Sequence, residues 1–187
     1  MTLKPLLTCL GLLAAHAAHA DTDIVSLLSE DLARDLIADA GVIAALEASN
    51  TAHDGLSEAE LIALDDVWRR EVDLSRQPTI SQVTDRPGSQ RLRDMVERGG
   101  GSVTEIIVMD KYGMNAAVSG VTSDYWQGDE AKFQLTFPNG ADAIHVGDLE
   151  LDESTGLFQV QVSRTLSDPE TGVPVGAVTF GFDASIL

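Results

Sequence analysis

The sequence predicts an α+β fold, a long N-terminal helix plus further helices packed on a five-stranded antiparallel sheet. Three observations predict it. Apolar residues recur every three to four positions through the first half, from Ile24 to Val96. After Gly99-Gly100-Gly101 the pattern changes to β-branched and apolar runs, and these runs are joined by connectors rich in Asp, Gly and Pro that turn one strand back on the next. Helices first and strands afterwards, without alternation, is the order of an α+β domain.

Residues 1–20 read MTLKPLLTCLGLLAAHAAHA: Lys4, an apolar run over residues 6–15, then Ala18-His19-Ala20. This is the pattern of a secretory signal peptide cleaved after Ala20. Its apolar run is too short for the ~20 residues that span a bilayer, and Leu6-Leu7-Thr8 lacks the small residue that precedes a lipidated cysteine. The expected mature protein, residues 21–187, is periplasmic, inserts in no membrane after cleavage, and keeps none of the chain's one cysteine at Cys9. Thiol chemistry and Cys-rich zinc sites are therefore excluded, and the core alone must hold the fold.

The N-terminal helical segment, residues 21–101, opens with a stripe of Ile24, Leu28, Leu32, Leu36, Ala40 and Ile43 on one face of a helix over 24–47. Turn chemistry follows at 50–55. Ser57 and Glu60 form a capping box that starts a second helix, running to about Val72 and burying Leu61, Leu64, Val67 and Trp68. Pro78 and Arg86-Pro87-Gly88 punctuate the next stretch as turns, and a shorter helix over 89–97 buries Leu92 and Val96. The sheet segment, residues 102–187, begins with a hairpin: strands at 103–109 and 114–119 around Asp110-Lys111-Tyr112-Gly113. Strands at 143–151, 157–165 and 173–182 complete the sheet, which the N-terminal helix is expected to cover on one face.

The connection over 120–142 is long for a compact domain, and long connections are usually functional. It holds Asp124, Tyr125, Trp126, Gln127, Asp129 and Glu130, aromatic walls beside a few polar groups, which suits a small pocket. Tyr125 and Trp126 serve either as those walls or as core beneath the loop. Asp129 and Glu130 either meet a ligand amine or start a short helix. Arg164 is either a ligand clamp or a strand-end residue pairing with Asp168, and Asp183 closes the last strand as a pocket residue or a solvated one.

Composition narrows the function. Twelve Lys and Arg stand against 30 Asp and Glu, a net charge of −18, which excludes nucleic acid and disfavours anionic membrane surfaces. Removing residues 1–20 leaves 11 basic and 30 acidic side chains, net −19. His53 and His145, far apart in sequence, make no metal-ligand pattern, and no Gly-x-Ser-x-Gly elbow or assignable Ser/His/acid set argues for an enzyme. No cofactor is expected.

The order of Val-x-x-Ile-Ile-Val-Met-Asp-x-x-Gly (103–113), Ser-Asp-Tyr-Trp-Gln-Gly-Asp-Glu (123–130) and Pro-Val-Gly-Ala-Val-Thr-Phe-Gly-Phe-Asp (174–183) resembles the Cache, or PDC, extracellular sensor domains, which are PAS-like. The resemblance covers residues 24–187. It implies a concave PAS-like sheet with the long loop folded over a small molecule, commonly an amino acid, an amine or a short carboxylate; the candidate binding set is Asp124, Tyr125, Trp126, Asp129, Arg164 and Asp183. Amino-acid-binding members carry an Arg-x-Trp-Tyr type signature; here Asp124 precedes Tyr125-Trp126, and the loop has no Arg. Family members usually continue through a membrane helix into an output domain, whereas this sequence stops at Leu187. The expectation is a soluble periplasmic ligand-binding sensor that signals through a separate membrane-bound sensor or transporter. The alternative is an accessory module whose pocket is filled by its own side chains.

Overall fold

The structure, a computed structural model, describes residues 10–151 and 156–186, with side chains described from residue 24 to residue 185. Five helices come first: α1 (Leu10–Ile37), α2 (Ala40–His53), α3 (Glu58–Glu71), α4 (Pro78–Thr84) and α5 (Pro87–Arg98). Strands β1 (Val103–Met109) and β2 (Asn115–Val118) follow, then a short helix α6 (Ala131–Gln134), and then β3 (Ile144–Leu151), β4 (Phe158–Ser167) and β5 (Pro174–Asp183). The strands form one antiparallel sheet in the order β2-β1-β5-β4-β3. The α+β class and the five strands are as the sequence predicts.

Three local expectations are corrected. The helix expected over 24–47 is broken after Ile37, where the Asp39 carboxylate accepts hydrogen bonds from the Gly41 and Val42 N–H groups and starts α2. The break lets α2 cross α5 closely. A Cβ on Gly88 would stand 2.9 Å from the Gly41 carbonyl oxygen. The turn expected at 50–55 begins only after His53, because α2 runs on to carry Ser49 and His53 into the interior. Finally, Pro78 and Pro87 do not mark turns. Each occupies the first position of a helix, where its missing N–H costs nothing.

The α3–α4 junction shows how α4 forms without a side chain at its own N-cap. The Glu71 carboxylate accepts from the Thr79 N–H (2.7 Å), the Thr79 hydroxyl (2.8 Å) and the Ile80 N–H (3.1 Å). In return, the Gln77 amide donates to the Glu71 and Val72 carbonyls at the end of α3. The capping box at Ser57 and Glu60 is present as predicted: the Glu60 carboxylate accepts from both the N–H and the hydroxyl of Ser57.

Both faces of the sheet are covered, but unequally. On one face α1, α2 and α5 bury Leu36, Leu46 and Leu92 against Ile106, Val108, Val162, Phe180 and Phe182. On the other, α3, α4 and the long loop pack Trp68, Ile80, Tyr125 and Phe133 against Ile107, Met109, Met114 and Ala177. From Ile106 to Met109 strand β1 therefore reads as a continuous apolar run, since both faces of this part are buried. The second cover stops near β5, so this face of β4 and β3 lies open.

Candidate functional site

The open half of that face and the loop above it enclose a cleft of about 820 Å³. Its floor is polar because β4 alternates: Val160 and Val162 face the helices, while Gln159, Gln161 and Ser163 face the cleft. Pairing carries this across the sheet. Glu105 and Gln161 both lie opposite Gly181 of β5. A Cβ at Gly181 would stand 2.5 Å from Gln159 Oε1 and Thr104 Oγ1, so a glycine there leaves room for the side chains of its neighbours to meet.

Glu105 reaches this floor through an irregularity in β1. Val103 and Ile106 both belong to the helix-side core, and the β1–β5 register shifts between Val103 and Glu105. Such a bulge places two residues where one is expected. The Thr104 hydroxyl accordingly donates to Gln159 Oε1, while the Gln159 and Gln161 amides approach the Glu105 carboxylate at 3.3 Å. Glu105 is 7% exposed and Gln159 1%. One wall of the cleft is the loop, with Asp124, Gln127, Glu130 and Lys132; the other is β3, with His145, Asp148 and Glu150.

The loop is held by groups the sequence did not single out. Asp65 of α3, 4% exposed, accepts from the Tyr125 and Trp126 N–H groups at 2.7 and 3.1 Å and from Arg69 Nε at 2.6 Å. Arg69 also pairs with Asp124 at 2.8 Å. The hydrogen bond it donates to Asp65 keeps the Arg69 guanidinium above its ordinary pKa, against some loss from burial. Backbone bonds from Asn115 N–H to Tyr125 C=O and from Gln127 N–H to Gly113 C=O zip the loop along the edge of β2. Gly113, at φ +81°, has no room for a Cβ against the Gly128 backbone. Asp110 tightens the same turn by accepting from the Tyr112 and Met114 N–H groups, and its other oxygen takes Ser49 Oγ (2.7 Å) and His53 Nδ1 (2.6 Å).

Of the six residues singled out from the sequence, Asp124 lines the cleft. Tyr125 is core: it stacks on Trp68 with centroids 4.9 Å apart, and burial pushes its phenol up to about 12. Trp126 is half-buried and donates from Nε1 to the Tyr112 carbonyl, so it closes the hairpin turn instead of walling the cleft. Asp129 is exposed, outside the cleft. Arg164 is on the helix side of β4, donating to Ser29 Oγ (2.8 Å) and to the Ser26 carbonyl (2.9 Å); it ties down α1 and does not pair with Asp168. Asp183 accepts from the Ser185 N–H beyond the end of β5, which holds its carboxyl below the ordinary value. The loop therefore walls the cleft with its polar residues and buries its aromatic ones. A signal for this existed in β4, whose Gln159, Gln161 and Ser163 form a polar stripe at period two. Glu105 carried none, because it stands at the edge of an apolar run with no polar partner at period two.

No family model matches the sequence, and no curated protein matches it significantly. Similar solved structures are sensor domains. The sensor domain of the Vibrio cholerae histidine kinase DctB aligns at 13% identity and TM-score 0.40, over 86% of this chain and 57% of that one. The extracellular domain of the putative histidine kinase rpHK1S-Z16 aligns at 17% and 0.44, over 87% and 60%. The sensory domain of the Campylobacter jejuni chemoreceptor Tlp3, with isoleucine bound, aligns at 10% and 0.41, over 86% and 63%. The chain thus spans about three fifths of the length of these neighbours, which are of the Cache/PDC type. Among the described residues no helix is long and apolar enough to cross a membrane, and no three His, Cys, Asp or Glu side chains gather as metal ligands.

Proposed function

We propose that this chain is a non-enzymatic, small-molecule-binding sensor domain that acts in the periplasm after removal of residues 1–20 and reports its ligand state to a separate membrane-bound partner. The observation that carries the reading is the open polar cleft between β1, β5, β4, β3 and the loop. Its volume of about 820 Å³ falls in the range of ligand sites, roughly 300–1,000 Å³. It is floored by side chains that are themselves ordered by hydrogen bonds. The open cleft favours this reading over an accessory module with a self-filled pocket, since the aromatic residues that would fill it lie in the core instead.

Thermal-shift measurements on the full chain with amino acids, amines and short carboxylates test the proposal, followed by calorimetry for stoichiometry. A bound compound at a hundredfold over its dissociation constant adds about 2.7 kcal/mol of stability, and one compound class binding at one per chain is the expected result. A panel in which no class shifts the midpoint overturns it.

A further inference from the structure

Resting on that reading of the cleft, we infer that its ligand is an elongated, multiply charged amine, anchored at Glu105 and reaching across the sheet to the acidic edge of β3. The cleft is acidic: five carboxylates stand in its lining against Lys132 and His145. Among its described lining residues the carboxylates are Glu105, Asp124, Glu130, Asp148 and Glu150, and no arginine is present. The lysine at position 132 is taken up by Glu130 at 3.0 Å. Arg69, beside the loop, is held by Asp65 and Asp124.

Position within the sheet gives the length. Glu105 stands on β1, and Asp148 and Glu150 stand on β3, separated by β5 and β4. Three inter-strand spacings make this ~14 Å, too far for one ammonium group to touch both ends. Between them the floor presents the Gln161 amide oxygen and the Ser163 hydroxyl, the latter paired with Thr179, to accept from N–H donors along a linear chain, while the Gln159 oxygen already takes the Thr104 hydroxyl. The Glu105 end is deep and the β3 end is exposed. One charged terminus is therefore desolvated and specific, while the other is held at the rim, where attraction is weaker and screened by salt.

Calorimetry on the full chain tests this with spermidine and putrescine against ethylamine, isoleucine and succinate. The expected result is one spermidine per chain, bound at least about tenfold more tightly than ethylamine. Glu105→Gln, which preserves shape and amide hydrogen bonding, weakens both amines by about tenfold or more, the worth of one charged hydrogen bond. Glu150→Gln, on an exposed site with no bearing on folding, weakens spermidine and leaves ethylamine unchanged; it also carries the test if Glu105→Gln fails to fold. Glu47→Gln, outside the cleft, changes neither. Binding of succinate or isoleucine in preference to the amines overturns the inference while leaving the sensor reading intact. Spermidine binding at several per chain, or indifferent to both variants, marks general attraction to an acidic protein and also overturns it. Binding of no compound overturns the sensor reading and the inference together.

Discussion

Single side chains decide whether the loop over residues 120–142 is lid or core. Tyr125 is buried against Trp68 and His53, and its phenol is raised from 10 to about 12, chiefly by burial. A raised phenol contributes stability that is complete below pH 10, where neither state ionises, and is lost as pH rises from 10 through 12. Alkaline unfolding followed by tyrosine absorbance is expected to show a loss of roughly 2–3 kcal/mol over that window, absent in Tyr125→Phe. Trp126 behaves differently, because it is half-buried and spans the hairpin turn. Trp126→Ala is expected to cost about 2–3 kcal/mol in urea denaturation, below the ~3–5 kcal/mol for emptying a closed aromatic site. Ligand affinity is expected to stay unchanged, since Trp126 does not line the cleft. A folded variant that no longer binds would return Trp126 to the site.

Elements meet here through a few contacts that cannot be enlarged or cut. The α2–α5 crossing depends on Gly41 and Gly88, each with backbone of the other helix within 3.2 Å of its missing Cβ. Gly88→Ala is expected to destabilise the fold by about 1–3 kcal/mol and to leave the β-sheet's amide protection pattern in place relative to α2. On the far side of the same layer, α1 is fastened by one half-buried guanidinium. Burial lowers the Arg164 pKa, with Glu30 opposing the shift. Arg164→Ala is expected to cost about 1.5–3 kcal/mol, since it removes hydrogen bonds to a charged donor, and to raise hydrogen exchange selectively over residues 24–37. Exchange increased equally in β4 would mean that Arg164 supports the sheet itself.

For the whole molecule, charge sets the response to solution conditions. With net charge −18, self-repulsion opposes compaction, and few described ion pairs are buried. The thermal midpoint is expected to rise between 10 mM and 500 mM sodium chloride, whereas a fall would show that attractive pairs dominate. Fold class, strand count, the capping box at Ser57 and the Asp110–Gly113 hairpin were legible in the chain, because each depends on residues near one another in sequence. The sequence also located the loop that borders the cleft. Tertiary structure alone decided which loop residues face ligand and which are core: Asp65 and Trp68 come from α3, some 60 positions earlier, and they take the Tyr125 and Trp126 backbone and ring. It also decided that Arg164 serves α1, through Ser26 and Ser29 more than 130 positions away. Glu105 joined the cleft for a similar reason, because only the shifted pairing of β1 with β5 turns a carboxylate in an apolar strand toward Gln159 and Gln161. Period and propensity are properties of neighbours in sequence, whereas a binding surface is assembled from residues brought together by sheet register and helix packing.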